Sequence, residues 1–269
     1  MPEETPGDAS PVLISIDEGV ALVTLNRPSK LNALSAEVLE TLFAEFVGLE
    51  ENEDVHCIVI TGSPSAKPPS FAAGADIEEM AEMGGFDLRH YSELGQQTFA
   101  AIEGSPKPVI AAINGFALGG GLELAMACHI RYAAEGAKMG QPEVTLGIIP
   151  GFGGTQRLRS LVGRGRALEL LLTGESISAE YAHRLGLVNS TVPHGELMGV
   201  VMALAKKIAG NAPVAVQFIL DAVCRGSEMS PQSALSLETD LFGLVGVTDD
   251  VREGMQAFLE KRRAAWKGR

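Results

Sequence analysis

The chain has 269 residues, of which 46% are hydrophobic and 20% charged, and its formal net charge is −13. This composition is typical of a globular protein with one large domain, alone or with a small appendage. The negative charge argues against a general nucleic-acid-binding protein, because phosphate binding needs a basic surface. A local basic patch that holds one anionic ligand stays compatible with it.

The N-terminal segment MPEETPGDAS is acidic and polar, and it has neither the basic nor the apolar region of a signal peptide. We expect residues 1–10 to be disordered. No apolar run reaches the roughly 18 residues that a membrane span needs. The cysteines lack metal-binding spacing, so we interpret them as reduced, buried residues. These features predict a cytoplasmic protein without a membrane partner.

The first part of the chain predicts a hairpin, a helix and a buried strand. Val12–Ile16 and Val20–Leu25 alternate apolar residues around a turn, as the strands of a β-hairpin do. Ser35 is a good N-cap for a helix over about 36–50. Cys57–Thr61 is a continuous apolar run, which predicts a strand buried on both faces. A loop over residues 62–75 follows, and its length suggests a function.

The same alternation continues to residue 193. Strands are predicted at Val109–Ile113, Ile130–Ala134 and Leu187–Val192, and helices at about 76–83, 87–103, 120–127, 154–161, 164–173 and after Ser178. Strand, loop and helix recur several times, which is typical of an α/β architecture.

From about residue 194 the pattern predicts helices alone, at 195–210, 212–225, 230–244 and 248–264. The last helix is expected to bury one apolar face, formed by Val251, Met255, Phe258 and Leu259.

We therefore predict three regions. Residues 1–10 form a disordered N-terminus, residues 11–193 form the α/β core with the active site, and residues 194–269 form a helical subdomain. That subdomain either covers the site or packs on another subunit.

The candidate active site lies within residues 109–156, where a strand leads into Gly119-Gly120-Gly121 and a helix. A helix N-terminus has unpaired N–H groups, and donors of this kind form an oxyanion hole when they face a carbonyl oxygen. The alternative is a tight turn that needs positive φ. The loop at residues 71–76 (FAAGAD) has similar composition. It either supplies a second N–H or is a surface loop in which Asp76 caps a helix.

Two acids stand out near the glycines. Glu123 lies in an otherwise apolar helix, so we expect it to be at least partly buried and its pKa raised. The alternative is a structural glutamate paired with a backbone donor or an arginine. Glu143 follows Pro142 in a stiff turn, and its alternative is a solvated loop acid. Two such acids can hold one water and divide proton removal and proton delivery between them.

Other chemistries find no support in the sequence. It contains no GxSxG, HExxH, GxxxxGK[ST] or Asp-rich metal loop, and its histidines have no ligand spacing. We therefore predict no metal site and no redox cofactor. Basic residues follow the hairpin and crowd the C-terminus, where they form either solvated helix faces or a patch that holds phosphate.

Five motifs carry a resemblance to a known family: NRPSKLNAL, FAAGADIEEM, PVIAAINGFALGGGLELAMACHI, GQPEVTLGIIPGFGGTQRL and EGMQAFLEKR. The chain resembles the enoyl-CoA hydratase (crotonase) family from Val12 to about Lys267. The resemblance implies a crotonase-like α/β spiral of ββα turns with a C-terminal all-helical trimerisation region. It also implies a homo-oligomer, in the form of a hexamer built from two trimers.

The resemblance also assigns site residues. The backbone N–H groups of Ala75 and Gly120 are expected to form the oxyanion hole for a thioester carbonyl, and Glu123 and Glu143 occupy the positions of the two hydratase glutamates. Seven further positions match regions that contact coenzyme A in the family: Lys30, Leu31, Ala73, Asp76, Ile77, Phe242 and Lys261.

The activity implied is syn hydration of trans-2-enoyl-CoA to 3-hydroxyacyl-CoA, with an acyl-CoA substrate and no cofactor. A short-chain form of this enzyme would be a 3-hydroxybutyryl-CoA dehydratase. Alternatives are a Δ3,Δ2-enoyl-CoA isomerase, another acyl-CoA lyase of the same family, and an RNA-binding relative. Both glutamates are present, which favours a hydratase, because isomerising members usually keep one. The acyl-chain length and the pathway stay open. Candidates to line the acyl pocket are Phe86, Leu88, Tyr91, Leu94, Phe116, Leu118, Leu146 and Phe152.

Overall fold

The computed structural model describes residues 10–269. The strands of this part are Val12–Asp17 (β1), Val20–Leu25 (β2), Cys57–Gly62 (β3), Ser70–Ala72 (β4), Val109–Ile113 (β5), Phe116–Leu118 (β6), Ile130–Ala134 (β7), Lys138–Gly140 (β8), Ile177–Ser178 (β9) and Ser190–Val192 (β10). The helices are Ala36–Glu51 (α1), Ile77–Ala81 (α2), Gly85–Glu103 (α3), Gly120–Ala127 (α4), Gly154–Val162 (α5), Arg164–Thr173 (α6), Ala179–Leu185 (α7), Leu197–Ala209 (α8), Pro213–Gly226 (α9), Pro231–Val245 (α10) and Asp249–Glu260 (α11). Short 3₁₀ helices lie at Pro28–Lys30, Pro142–Leu146 and His194–Glu196. The disorder predicted for residues 1–10 falls outside the described residues, except at Ser10.

The larger sheet has six strands in the order β1-β2-β3-β5-β7-β10. The predicted hairpin β1–β2 is antiparallel, and the other pairs are parallel. Within β3, Ile58 and Ile60 face one hydrophobic core while Cys57 and Val59 face a second one. The strand is therefore buried on both faces, as its continuous apolar run predicts.

The smaller sheet has four strands in the order β4-β6-β8-β9. A strand of the larger sheet, a strand of the smaller sheet and a helix follow one another three times, as β3-β4-α2, β5-β6-α4 and β7-β8-α5. This succession, with its trailing helices, confirms the expected spiral of ββα turns. The strands of the smaller sheet were missed in the sequence, and β4 lies inside the predicted loop over residues 62–75. Strands of two or three residues are too short to show an alternating pattern.

The helices cover the larger sheet on both sides. On one side α1 and α3 pack against each other and against the main core. On the other side α8 places Leu197, Val201 and Ala205 against Val59 and Ala112. The sheet is thus enclosed, and its carboxyl-terminal strand ends lead into the loops of the candidate site.

The last three helices lie outside this enclosure. Helix α9 packs mainly on α10 and buries none of its own residues. The prediction that α11 buries its apolar face is wrong within one chain, because Met255, Phe258 and Leu259 are 67%, 83% and 79% exposed. The helix also ends at Glu260 rather than 264, since Lys261 adopts a left-handed conformation with φ 55°.

Within residues 10–269 no single helix is long and apolar enough to cross a membrane. One helix pair, His194–Ala209 and Pro213–Gly226, is bent by 107° and has the length and composition of a membrane span, but nothing further supports that reading. The same residues contain no group of three or more His, Cys, Asp or Glu side chains arranged to hold a metal ion.

Candidate active site

A cleft of about 700 Å³ opens beside α2, α3 and the N-terminus of α4. Glu123, Glu143, Ala75 and Gly120 all line it. The other lining residues also lie between Ala73 and Thr155, so the core alone forms the cleft. The structure thus brings together the two acids and the two backbone donors that the sequence nominates.

The Ala75 N–H is oriented by a short parallel bridge between Leu34 and Ala75. Leu34 donates to the Gly74 carbonyl at 2.8 Å and accepts from the Asp76 N–H at 3.2 Å. Groups of neighbouring residues in an extended segment point to opposite sides. The Ala75 N–H therefore points away from Leu34, towards the start of α4.

The second donor is the N–H of Gly120, the first residue of α4, which has no partner within the helix. Gly119 precedes it with φ 49° and ψ −125°, a conformation that needs glycine. A Cβ at Gly121 would lie 1.9 Å from the Ala72 carbonyl oxygen, so α4 and β4 touch backbone to backbone. A Cβ at Gly120 would lie 3.4 Å from the Ala75 nitrogen, which places the two donors side by side.

Glu123 is 1% exposed, as expected of an acid in an apolar helix. Its Oε1 accepts the N–H groups of Phe152 at 2.8 Å and Gly154 at 2.6 Å, and these bonds leave Oε2 to bind another group. Burial, and to a lesser extent the nearby Glu143, raise the pKa of Glu123 to about 7 against the opposing effect of the two backbone donors. The acid is thus both anchored by backbone donors and poised for proton transfer near neutrality.

Glu143 lies in the 3₁₀ helix that follows Gln141 and is 8% exposed, so it is not a solvated loop acid. Gln141, with its amide nitrogen towards Glu143, donates to the two carboxylate oxygens at 2.8 and 3.1 Å. The carboxylate also approaches Gly119, where a Cβ would lie 2.9 Å from Oε1. Burial raises the pKa of Glu143 to about 7.

The two carboxyl groups act as a coupled pair. Ionisation of one disfavours ionisation of the other, because like charges in a buried site repel. With both pKa values near 7, the pair holds about one proton at neutral pH. An arrangement of this kind allows one group to accept a proton while the other donates one.

The residues nominated for coenzyme A on the N-terminal side lie beside the Ala75 segment. The Leu31 carbonyl accepts the Ala73 N–H at 3.1 Å. Lys30 forms an ion pair with Glu78 of α2. Asp76 pairs with Arg27 at 3.0 Å, which lowers the pKa of Asp76 against the effect of burial. Asp76 also caps α2. Of the five nominated here, Ala73 and Ile77 line the cleft.

The acyl-pocket candidates divide into two groups. Those that line the cleft are Leu88, Tyr91, Leu146 and Phe152; those that do not are Phe86, Leu94, Phe116 and Leu118. Sequence reasoning missed the polar residues Ser92 and Gln96, which also line it. They lie one helical turn apart on α3 and donate to the Gly151 carbonyl at 2.6 and 2.9 Å. That i, i+4 spacing was the signal available in the sequence.

The sequence model of the enoyl-CoA hydratase/isomerase family matches residues 15–269. The chain belongs to this family. The short-chain-enoyl-CoA hydratase of Clostridium acetobutylicum is 46% identical over 94% of this chain and 95% of its own length. The crotonyl-CoA hydratase of Syntrophomonas wolfei is also 46% identical, over 94% of this chain and 96% of its own. A crystal structure of enoyl-CoA hydratase from Bacillus anthracis has a TM-score of 0.93 at 41% identity, covering 96% of this chain and all (100%) of that chain.

Membership of an acyl-CoA-binding family confirms the resemblance drawn from the motifs. Two nominated residues nevertheless lie apart from the cleft of their own chain. Phe242 is on α10 and is 79% exposed, and Lys261 follows α11. Neither lines the cleft, because their helices pack outside the enclosed sheet.

Proposed function

We propose that this protein is an enoyl-CoA hydratase, which adds water syn to a trans-2-enoyl-CoA and forms 3-hydroxyacyl-CoA reversibly. The observation that carries the proposal is the pair Glu123 and Glu143. Both are buried with pKa values raised to about 7, and they share a cleft with the Ala75 and Gly120 donors.

The two donors hold the thioester carbonyl oxygen of the substrate. Negative charge develops on that oxygen as water attacks the conjugated double bond. Ala75 and Gly120 lie next to each other in the cleft, which supports a role for their N–H groups in stabilising this enolate-like charge without reorganisation. The carbon chain beyond the carbonyl then lies against the pair of acids.

The acids handle one water molecule. Its oxygen bonds to C3, its proton passes to Glu123, and Glu143 gives its own proton to C2. The resulting exchange leaves Glu123 protonated and Glu143 ionised, and transfer of that proton back to Glu143 restores the pair. We assign water activation to Glu123 because two backbone donors stabilise its carboxylate. The reaction moves no electrons to an acceptor, and we propose that it needs no cofactor beyond the coenzyme A of the substrate.

A Δ3,Δ2-enoyl-CoA isomerase is the alternative within the family. Isomerisation moves one proton between C2 and C4 and leaves the second acid without a task, so the buried pair favours hydration. Incubation with 2-enoyl and 3-enoyl thioesters separates the two activities. The relatives named for short-chain and crotonyl substrates support a short acyl chain, which kinetics over C4 to C16 enoyl-CoAs would test.

We further propose a homo-oligomer, a hexamer of two trimers, in the cytoplasm. The support is a set of large apolar side chains exposed on the last three helices and on the turn between α10 and α11: Ile219, Val223, Leu235, Phe242, Val247, Met255, Phe258 and Leu259. Exposed apolar surface of this kind marks contacts between chains. In such an assembly, Phe242 and Lys261 of one copy contact the coenzyme A bound to a neighbouring copy.

The decisive experiment is Glu143→Gln, which keeps the side-chain volume and removes the acid. The rate of crotonyl-CoA hydration should fall by about 10²–10⁴, the usual contribution of an acid–base group. The loss of the enoyl thioester absorbance measures this rate. Binding of butyryl-CoA, measured by calorimetry, should stay unchanged.

Glu40→Gln is the matched control, since Glu40 is an exposed acid on α1 away from the cleft and its loss should not slow hydration. Wild-type turnover in Glu143→Gln would contradict the assignment.

A further inference from the structure

Leu34, which pairs with both peptide units flanking Ala75, has another partner at its carbonyl. The Tyr91 hydroxyl, on α3, donates to the same oxygen that accepts the Asp76 N–H. Tyr91 is 5% exposed. Burial raises its pKa, so the hydroxyl keeps its proton at neutral pH and remains a donor.

The ring of Tyr91 also reaches the loop that anchors Glu123. It packs edge-on against Phe152, with ring centroids 5.2 Å apart. The Phe152 N–H donates to Glu123 Oε1 at 2.8 Å, and a Cβ on Gly120 would lie 3.0 Å from the Phe152 ring. Tyr91 thus contacts both Leu34, which pairs with the Ala75 segment, and Phe152, whose loop holds the Glu123 carboxylate.

We propose that Tyr91 is a positioning residue that, through Leu34, holds the Ala75 N–H against the thioester carbonyl. This inference rests on the proposed function. Tyr91 acts on the reacting atoms only through other residues. Without its hydroxyl, the Leu34 carbonyl keeps only the Asp76 bond, and the short Leu34–Ala75 bridge loses the tie that fixes it to α3.

The variant Tyr91→Phe removes the hydroxyl and keeps the ring against Phe152. We expect kcat for crotonyl-CoA hydration to fall about tenfold, the effect of one buried hydrogen bond. KM should change little, because contacts with the rest of the substrate remain.

The matched control is Thr98→Val, which removes another buried hydroxyl of α3. The Thr98 hydroxyl has two acceptors within hydrogen-bonding distance, the Leu94 carbonyl at 2.9 Å and the Leu39 carbonyl at 3.3 Å, and neither belongs to the Ala75 bridge. This variant should lose stability comparably and keep the wild-type kcat.

An infrared measurement separates positioning from folding. The ligand is butyryl-CoA labelled with a heavy isotope at its thioester carbonyl, which has no double bond to hydrate. Hydrogen bonds to the carbonyl oxygen lower the stretching frequency of the C=O bond. We expect a lowered frequency in the wild-type and Thr98→Val complexes and a return towards the free value in Tyr91→Phe.

Two results would overturn the positioning role and leave the proposed function standing. One is a wild-type carbonyl frequency in Tyr91→Phe; the other is a Thr98→Val complex whose frequency returns towards the free value as it does in Tyr91→Phe. If the wild-type complex shows no lowering at all, the oxyanion hole itself is wrong, and the proposed function and this inference both fail.

Discussion

The cleft region and the C-terminal helices differ in which side chains they bury. Around the cleft, polar groups are buried and have partners within the chain, as Glu123 does with Phe152 and Gly154. On the C-terminal helices, large apolar side chains such as Phe242 and Phe258 are exposed. The chain therefore completes its reactive geometry alone but leaves an apolar surface that a second copy is suited to cover.

The difference follows from what each region has to achieve. Stabilising a developing charge requires donors held at fixed positions, which backbone contacts within one fold provide. Binding the distant end of a large substrate tolerates contacts from a separate chain. Variants in the two regions should accordingly affect different measurements.

Within this comparison the largest effect is expected from Gly120→Pro, which removes the Gly120 N–H and adds a Cβ 3.0 Å from the Phe152 ring. Proline fits the first position of a helix but has no N–H. Loss of one oxyanion donor should lower kcat by about 10²–10³. Steady-state hydration of crotonyl-CoA measures it.

Arg164→Pro provides the control for that variant. Arg164 is likewise the first residue of its helix, α6, and likewise follows a glycine, but it is exposed. Its replacement should leave kcat unaltered. Equal activity in both proline variants would remove Gly120 from the oxyanion hole.

A smaller effect is expected from Phe258→Glu, which tests the exposed surface. Replacing one large apolar contact by a charge should weaken self-association by about 10- to 100-fold. Sedimentation velocity over a range of concentrations measures the assembly. KM for the CoA ester should rise as the neighbouring copy is lost, while kcat on one chain persists.

Leu172→Glu is the comparison for self-association, because Leu172 is 70% exposed but lies on α6 of the core. An assembly unchanged by Phe258→Glu would refute the role of the C-terminal surface.

The smallest effect is expected in the pH dependence of folding stability, which Glu123→Gln should change. Glu123 has a pKa raised from 4.5 to about 7, so between these values the folded state binds more protons than the unfolded state. Wild-type stability therefore falls as pH rises through this window. Glu123→Gln lacks the titration, so its stability relative to wild type should increase by on the order of 2 kcal/mol from pH 5 to pH 8.

Urea denaturation at both pH values measures this difference. A difference for Glu123→Gln that does not change with pH would mean that the buried carboxyl titrates normally.

The sequence predicts most of the long elements because their patterns are local. Ser35 does cap α1 through Val38 N, and the apolar run of β3 is buried as expected. Glu123 could be expected to be buried because its helix is apolar throughout. Glu143 could not be distinguished from a solvated loop acid, since its burial depends on Gln141 and Gly119 folding around it.

Other features depend on relations that no local pattern contains. The direction of the Ala75 N–H follows from its pairing with Leu34, some forty residues earlier. An apolar stripe such as that of α11 shows which face avoids water, but the same stripe serves a core and a contact between chains. The prediction that Phe258 and Leu259 are buried was wrong within one chain, because the stripe does not show whether its helix packs against the core.

The contact of Gly121 with the Ala72 carbonyl, where a Cβ would lie 1.9 Å from the oxygen, has a consequence for how this fold can change. The spacing of the Ala75 and Gly120 donors is fixed by main-chain atoms, while side chains such as Leu88 and Leu146 shape other parts of the cleft. Substitutions that alter substrate range can therefore accumulate without moving the donors. Substrate selectivity and reaction rate can therefore change independently of each other as the sequence diverges.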